Sequence, residues 1–257
     1  MYAWKCWRDS RDRVILYGAA SLAVGIMLGI MNASWYQAMV AEEWWYRRHA
    51  PDWNPALWAW SGGISAVNDF LFPVALWVAF ILAAMSVGRE YGSGAMPFLL
   101  TRPARRWSTV WTDFRIGITQ VVVISAMMLV GALPFLVYTS RAYVGRSWPL
   151  LPGCVVLAAA LYGLTHFMTT LTGSSMKGLS ATVAAILLYT LLPGALDEWW
   201  HIHGPLAFRD WSLNVLEWDW THDHYRFLLH GWPMLMWLAV AVTFPLLSQF
   251  ILERREV

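Results

Sequence analysis

Four histidines fall in two short pairs, His201 and His203, then His222 and His224, with Glu198, Asp219 and Asp223 beside them. Residues two apart face one side of an extended segment. Two such pairs could therefore converge imidazole nitrogens on zinc or copper. The opposing observation is that the same stretch is Trp-rich, as an interfacial loop is, and histidine is ordinary there. No H-E-x-x-H run occurs, and no cysteine lies nearby. The expectation is therefore no metal, with these four histidines as the only candidates.

A second set of chemistry-bearing residues lies inside apolar blocks. Gln120 and His166 are flanked by long apolar runs, and Thr165, Thr169 and Thr170 lie beside His166. Polar groups at membrane depth are costly and often functional. Gln120, His166 and Thr169 are accordingly candidates for a transport pathway. The alternative is hydrogen bonding between helices. Asp69 and His230 lie at the ends of such blocks, where placement at an interface explains them equally well.

The elements that must hold these residues follow from composition. The chain has 257 residues, of which 58% are hydrophobic and 13% charged; its mean hydropathy is +0.46. Soluble domains carry about twice that charge. Six stretches without Asp, Glu, Lys or Arg approach or exceed the roughly 20 residues a membrane helix needs: Val14 to Met31, Phe70 to Val87, Ile116 to Tyr138, Gly153 to Leu171, Leu179 to Leu196, and Phe227 to Leu252. The second could begin earlier, near Ala56, with a bend at Gly62-Gly63. The expected fold is all-α: one polytopic domain over 1–257 with six transmembrane helices and short interfacial helices outside. The first block is read as a retained span rather than a cleaved signal.

With both termini cytoplasmic, twelve of the 18 Lys and Arg lie inside, giving sides of +6 and −4, as the positive-inside rule requires. The expected location is the cell inner (plasma) membrane. The net charge of +2 gives no reason to expect nucleic acid. In residues 1–13, aromatic and basic positions recur at helical spacing, the pattern of a cytoplasmic interfacial helix. Twelve of the 19 Trp fall in outer segments, chiefly 32–69 and 197–226, where Trp suits a membrane interface. The stretch 197–225 is expected to lie on the outer leaflet or dip into it. Gly18, Ser21, Gly25 and Gly29 share one face of the first span. Small residues let helices approach closely in lipid, either within the chain or between two copies.

Residues 88–107 read GREYGSGAMPFLLTRPARRW. Two glycines permit a turn, an apolar cluster follows, and Pro103 ends any helix before it. A short amphipathic helix here would suit a partner's groove. Glu90, then Gly94-Ala95, then Leu99-Leu100, then Pro103-Ala104-Arg105, placed between the second and third spans, resemble the membrane subunits of type-2 ATP-binding-cassette transporters. Ala95 stands where that family usually has threonine, and Asp113 to Arg115 where a lysine commonly follows. The resemblance implies a permease half that pairs with a second copy and engages a separate ATPase. Glu90, Gly94, Met96, Phe98, Leu99, Leu100 and Arg105 would be the coupling contacts, and the loop Gly173 to Gly178 a smaller one. ATP and magnesium would sit on the partner, since no G-x-x-x-x-G-K-[ST] phosphate loop occurs here. The partners implied are that ATPase subunit, a second permease copy and membrane lipids. The implied function is export of an amphipathic or lipid-like compound or peptide, without enzymatic activity of the chain's own. A membrane scaffold or sensor, or a membrane enzyme using the outer histidines, are the alternatives.

Overall fold

The computed structural model describes residues 2–49, 54–92, 106–147, 150–200, 216–219, 224–227 and 231–254. Seven α-helices run through them: α1 (Tyr2–Ala41), α2 (Glu43–His49), α3 (Pro55–Gly92), α4 (Arg106–Ser140), α5 (Leu150–Thr172), α6 (Ser175–Trp200) and α7 (Gly231–Arg254). A 3-10 turn spans Val144–Ser147, and strands β1 (Leu216–Asp219) and β2 (His224–Phe227) form an antiparallel hairpin.

Five helices contain stretches long and apolar enough to cross a membrane: Ser10–Ala41, Pro55–Ser86, Thr109–Ser140, Leu150–Thr172 and Met234–Arg254. In α6 the described apolar part is the shorter Ser175–Tyr189. A polytopic membrane protein follows from these lengths, and the exposed surface agrees. Leu188 and Leu191 are 65% and 66% exposed, and Ile15, Leu16, Leu235 and Phe250 are exposed too. Apolar side chains spread this widely over a surface are stable against lipid tails and not against water. The buried side chains form the opposite class of surface, one that joins helices. Ile64, Val67, Leu71 and Ala75 of α3 meet Val121, Ile124 and Met128 of α4 and Cys154, Ala158 and Tyr162 of α5. Beyond this, α1 packs on α4, and α5 on both α6 and α7.

Several elements differ from the sequence reading. The expected helix over 1–13 is not separate: α1 is continuous for 40 residues, about 60 Å, because neither glycine nor proline interrupts it before Gly18. The second span takes the earlier of its two possible starts, and α3 runs unbroken through Gly62-Gly63. The last helix starts at Gly231, not Phe227, which belongs to β2. Among the described residues the architecture is helical, as expected, apart from that short hairpin, which lies in an outer segment expected to be helical. Its register sets Leu216 opposite Phe227 and Asp219 opposite His224. The six-residue loop expected at Gly173 to Gly178 shrinks to a two-residue turn. Gly173 adopts φ of 66° and its N–H reaches the Thr169 carbonyl, the left-handed stop that ends α5. Ser175 already begins α6.

At the far end of the bundle, polar residues tie α1, α3 and α4 together. Asn32 Nδ2 donates to Thr139 Oγ1 at 3.3 Å, and Ser140 Oγ donates to the Ala56 carbonyl at 2.7 Å. Trp60 is 1% exposed and its indole N–H donates to Ser147 Oγ. It is a core residue rather than part of an aromatic belt, unlike the exposed Trp35, Trp44 and Trp45. Asn54 caps α3: its Oδ1 accepts from the Ala56 and Leu57 N–H groups at 3.1 and 3.3 Å. Asn54→Ala is expected to cost about 1 kcal/mol, read as a small fall in the melting temperature of the detergent-purified chain with its helix content intact.

Candidate functional site

The best-built polar site among the described residues lies on α5. Thr165, His166, Thr169 and Thr170 are each at most 1% exposed. Their helical spacing spreads them over one broad face, toward the end where α5 turns into α6. Tyr162 stands one turn earlier and stacks on His166, with ring centroids 6.4 Å apart. Its hydroxyl donates to the Asp113 carbonyl of α4 at 3.3 Å. Phe114 meets the same tyrosine edge-on. Glycine at 117 makes this possible, because a Cβ there would collide with the Tyr162 ring.

His166 crosses to α7. Its Nδ1 lies 3.2 Å from Ser248 Oγ, and that hydroxyl donates its hydrogen to the Phe244 carbonyl at 3.0 Å. A hydroxyl has one hydrogen to give. Ser248 must then accept from His166, which puts the ring hydrogen on Nδ1 and leaves Nε2 an acceptor. Nε2 is buried without a hydrogen-bond partner, as are Thr165 Oγ1 and Thr169 Oγ1. Other hydroxyls in the region are satisfied locally. Thr170 donates to the His166 carbonyl and Thr182 of α6 to the Gly178 carbonyl, both at 2.8 Å. Gly178 lies against the Thr169 side chain, too close for a Cβ, so α6 begins in tight contact with the end of α5.

The arrangement offers one imidazole acceptor and two hydroxyls facing inward from a helix. It can cross-link helices and can accept a hydrogen bond from a polar group that enters when helices part.

The three expected pathway residues do not converge. His166 and Thr169 belong to this face of α5. Gln120 is buried at 2% exposure, but its Nε2 donates to Ser10 of α1, on a separate seam. Of the row on α1, Gly25 and Gly29 are covered by α4 of the same chain. A Cβ at Gly25 would meet the Met128 carbonyl oxygen, and one at Gly29 the Phe135 ring. Gly131 reciprocates, its would-be Cβ lying 2.5 Å from the Leu22 carbonyl oxygen and 3.0 Å from the Ile26 nitrogen. Gly25 and Gly29 thus serve packing within the chain.

Glu90 falls in the last turn of α3, while Gly94, Met96, Phe98, Leu99, Leu100 and Arg105 lie outside the described residues. So do His201, His203, His222 and His230. His224 is in β2, opposite Asp219 in the hairpin register. Among the described residues no group of three or more His, Cys, Asp and Glu gathers as a metal site would.

Sequence reasoning missed Ser248, Tyr162 and the buried Asp113, which is 6% exposed. Ser248 beside Gln249 in the apolar run Phe244 to Phe250, and an acid in a largely apolar helix, were the available signals. Ser248→Ala should cost only about 0.6 kcal/mol, the mean for a hydrogen bond between membrane helices. A melting-temperature shift near zero to a few degrees is expected, with α7 still membrane-inserted. A collapse of the fold would show the seam to be structurally essential instead.

Compared with protein-family models and with curated proteins, the chain matches none.

Proposed function

We propose that the chain is the membrane-spanning permease subunit of an ATP-driven transporter, powered by a separate ATPase. The observation that carries this reading is the stretch from the last turn of α3 to the start of α4. It holds Glu90, Gly94-Ala95, Leu99-Leu100 and Pro103-Ala104-Arg105 at the spacing of type-2 ATP-binding-cassette permeases. The apolar part of α3 ends at Ser86, yet its helix continues to Gly92. Glu90 therefore stands about 6 Å beyond the apolar stretch, within reach of a partner at the membrane surface.

In this reading α6 completes six spans, both termini are cytoplasmic, and the segment 88–107 docks into the ATPase. ATP and magnesium bind the ATPase, and this chain hydrolyses nothing. Two copies enclose the pathway in the cell inner membrane. They meet on helix faces other than that of Gly25 and Gly29, which α4 already covers. Export of an amphipathic or lipid-like compound or peptide fits the Trp-rich outer segments.

The reading requires the 88–107 segment to face the cytoplasm. With Cys6 replaced by serine, a cysteine at Ala95 should resist a membrane-impermeant maleimide in intact cells and react after permeabilisation, while one at His203 should react in both. Labelling of the Ala95 position from outside would overturn the assignment.

A further inference from the structure

One carboxylate lies inside a spanning stretch. Asp69 is the only Asp, Glu, Lys or Arg in Pro55–Ser86 of α3. It is exposed, and among the described residues it has no hydrogen-bond or ion-pair partner. Neighbouring helices set its depth. Asn32 of α1 and Thr139 of α4, joined by a hydrogen bond, each stand one residue past a charge-free stretch, Val14 to Met31 and Ile116 to Tyr138. Gly63 of α3 is level with them, because a Cβ there would meet the Asn32 side chain. From Gly63, α3 runs inward to Met85, whose sulfur accepts from Arg13 at the other end of the α1 stretch. Asp69 is six residues along that path, about 9 Å below the Asn32 level, in a hydrocarbon core of about 30 Å. Placement at a membrane interface, open from the sequence, does not account for it.

Charged groups at such depth pair with an opposite charge or face a cavity. The other charge-free blocks supply no Lys or Arg, in this chain or in a second copy. An inorganic cation would need several oxygen ligands, and no group of three or more His, Cys, Asp and Glu gathers among the described residues. The exposed side chains near Asp69 are aromatic. Phe70 is 46% exposed, and Trp77, about two turns on, is 62% exposed and adds an indole N–H. A carboxylate beside aromatic faces is the chemistry that recognises an organic cation.

We infer that Asp69 binds the cationic group of an amphipathic organic cation, with Phe70 and Trp77 against its apolar part. As a binding site it stands on the membrane-spanning reading. As a step in transport it rests on the permease reading, whose substrate class it narrows to cationic compounds.

The test uses the full chain in phosphatidylcholine nanodiscs, with empty nanodiscs as the baseline. Radiolabelled tetraphenylphosphonium, a lipophilic cation, should bind saturably. Tetraphenylborate, of the same shape and opposite charge, should bind no more than the baseline. Asp69→Asn should weaken the cation's binding by about tenfold or more, as loss of a charge-assisted contact implies, while Asp69→Glu should keep it within a few fold. Cation binding at the baseline level, equal binding by Asp69→Asn, or saturable binding of the borate would each overturn the proposal. Should the variants fail to fold, the two ions on the wild-type chain still decide. Binding of the cation by a chain that retains no ATPase would uphold this site and remove the permease reading; an ATPase retained by a chain that ignores the cation would do the reverse.

Discussion

Gly25→Ala should destabilise the chain by about 3 kcal/mol, the upper part of the overpacking range, whereas Gly18→Ala, two helical turns away, should be neutral or slightly stabilising. The two positions look alike in sequence. They differ in what faces them. A methyl at Gly25 is directed at the Met128 carbonyl oxygen of α4, and a backbone oxygen cannot rotate aside as a side chain can. The α1–α4 contact must open, and because the Gly131 position packs reciprocally against Leu22 and Ile26, the damage extends over more than a turn. At Gly18 the nearest atom to a new methyl is Met127 Cγ at 3.9 Å, an ordinary contact, and alanine gains about 0.5–1 kcal/mol in helix propensity. Thermal unfolding of the purified variants at two protein concentrations checks this. The predicted loss for Gly25→Ala is independent of concentration, because the contact is within one chain. A loss that appears only as dissociation of a dimer would contradict the packing described.

On the permease proposal, Glu90→Ala and Leu99→Ala should each leave the chain in the membrane but reduce the ATPase recovered with it by about tenfold or more, equivalent to about 1.4 kcal/mol of interface energy. The logic is that of a small interface. A few anchors carry most of the binding in such contacts, and a short segment between two spanning helices offers few. Glu90 supplies a charge on the final turn of α3, and Leu99 belongs to the apolar cluster of the motif. Quantifying ATPase against the tagged chain in membranes with equal amounts of each variant gives the ratio. Unchanged recovery, with unchanged transport, would remove Glu90 and Leu99 from the coupling role.

Long apolar blocks made the spanning helices legible from sequence, because a bilayer imposes length and composition together. Their ends were less legible. Nothing in the apolar count distinguishes where a span ends from where its helix ends, so α1 and α3 extend well past the blocks, to Ala41 and Gly92. The hairpin was hidden by its Trp and His content, which suits an interfacial helix or a strand equally. Within the site, His166 and Thr169 stood out as polar residues at membrane depth and do share a buried face. Gln120 stood out for the same reason but turns to Ser10 of α1. Depth is readable from sequence; the direction of a side chain around the bundle depends on which helices are neighbours. That ignorance also explains Gly25, whose partner could have been another copy until α4 proved to lie against it.

The measurement that bears most directly on the function is a pull-down of the tagged chain from its native cells in mild detergent, followed by mass spectrometry of what it retains. The permease reading predicts a stoichiometric partner that carries a phosphate-loop ATPase motif. Recovery of the chain without such an ATPase, across several gentle detergents, would contradict it.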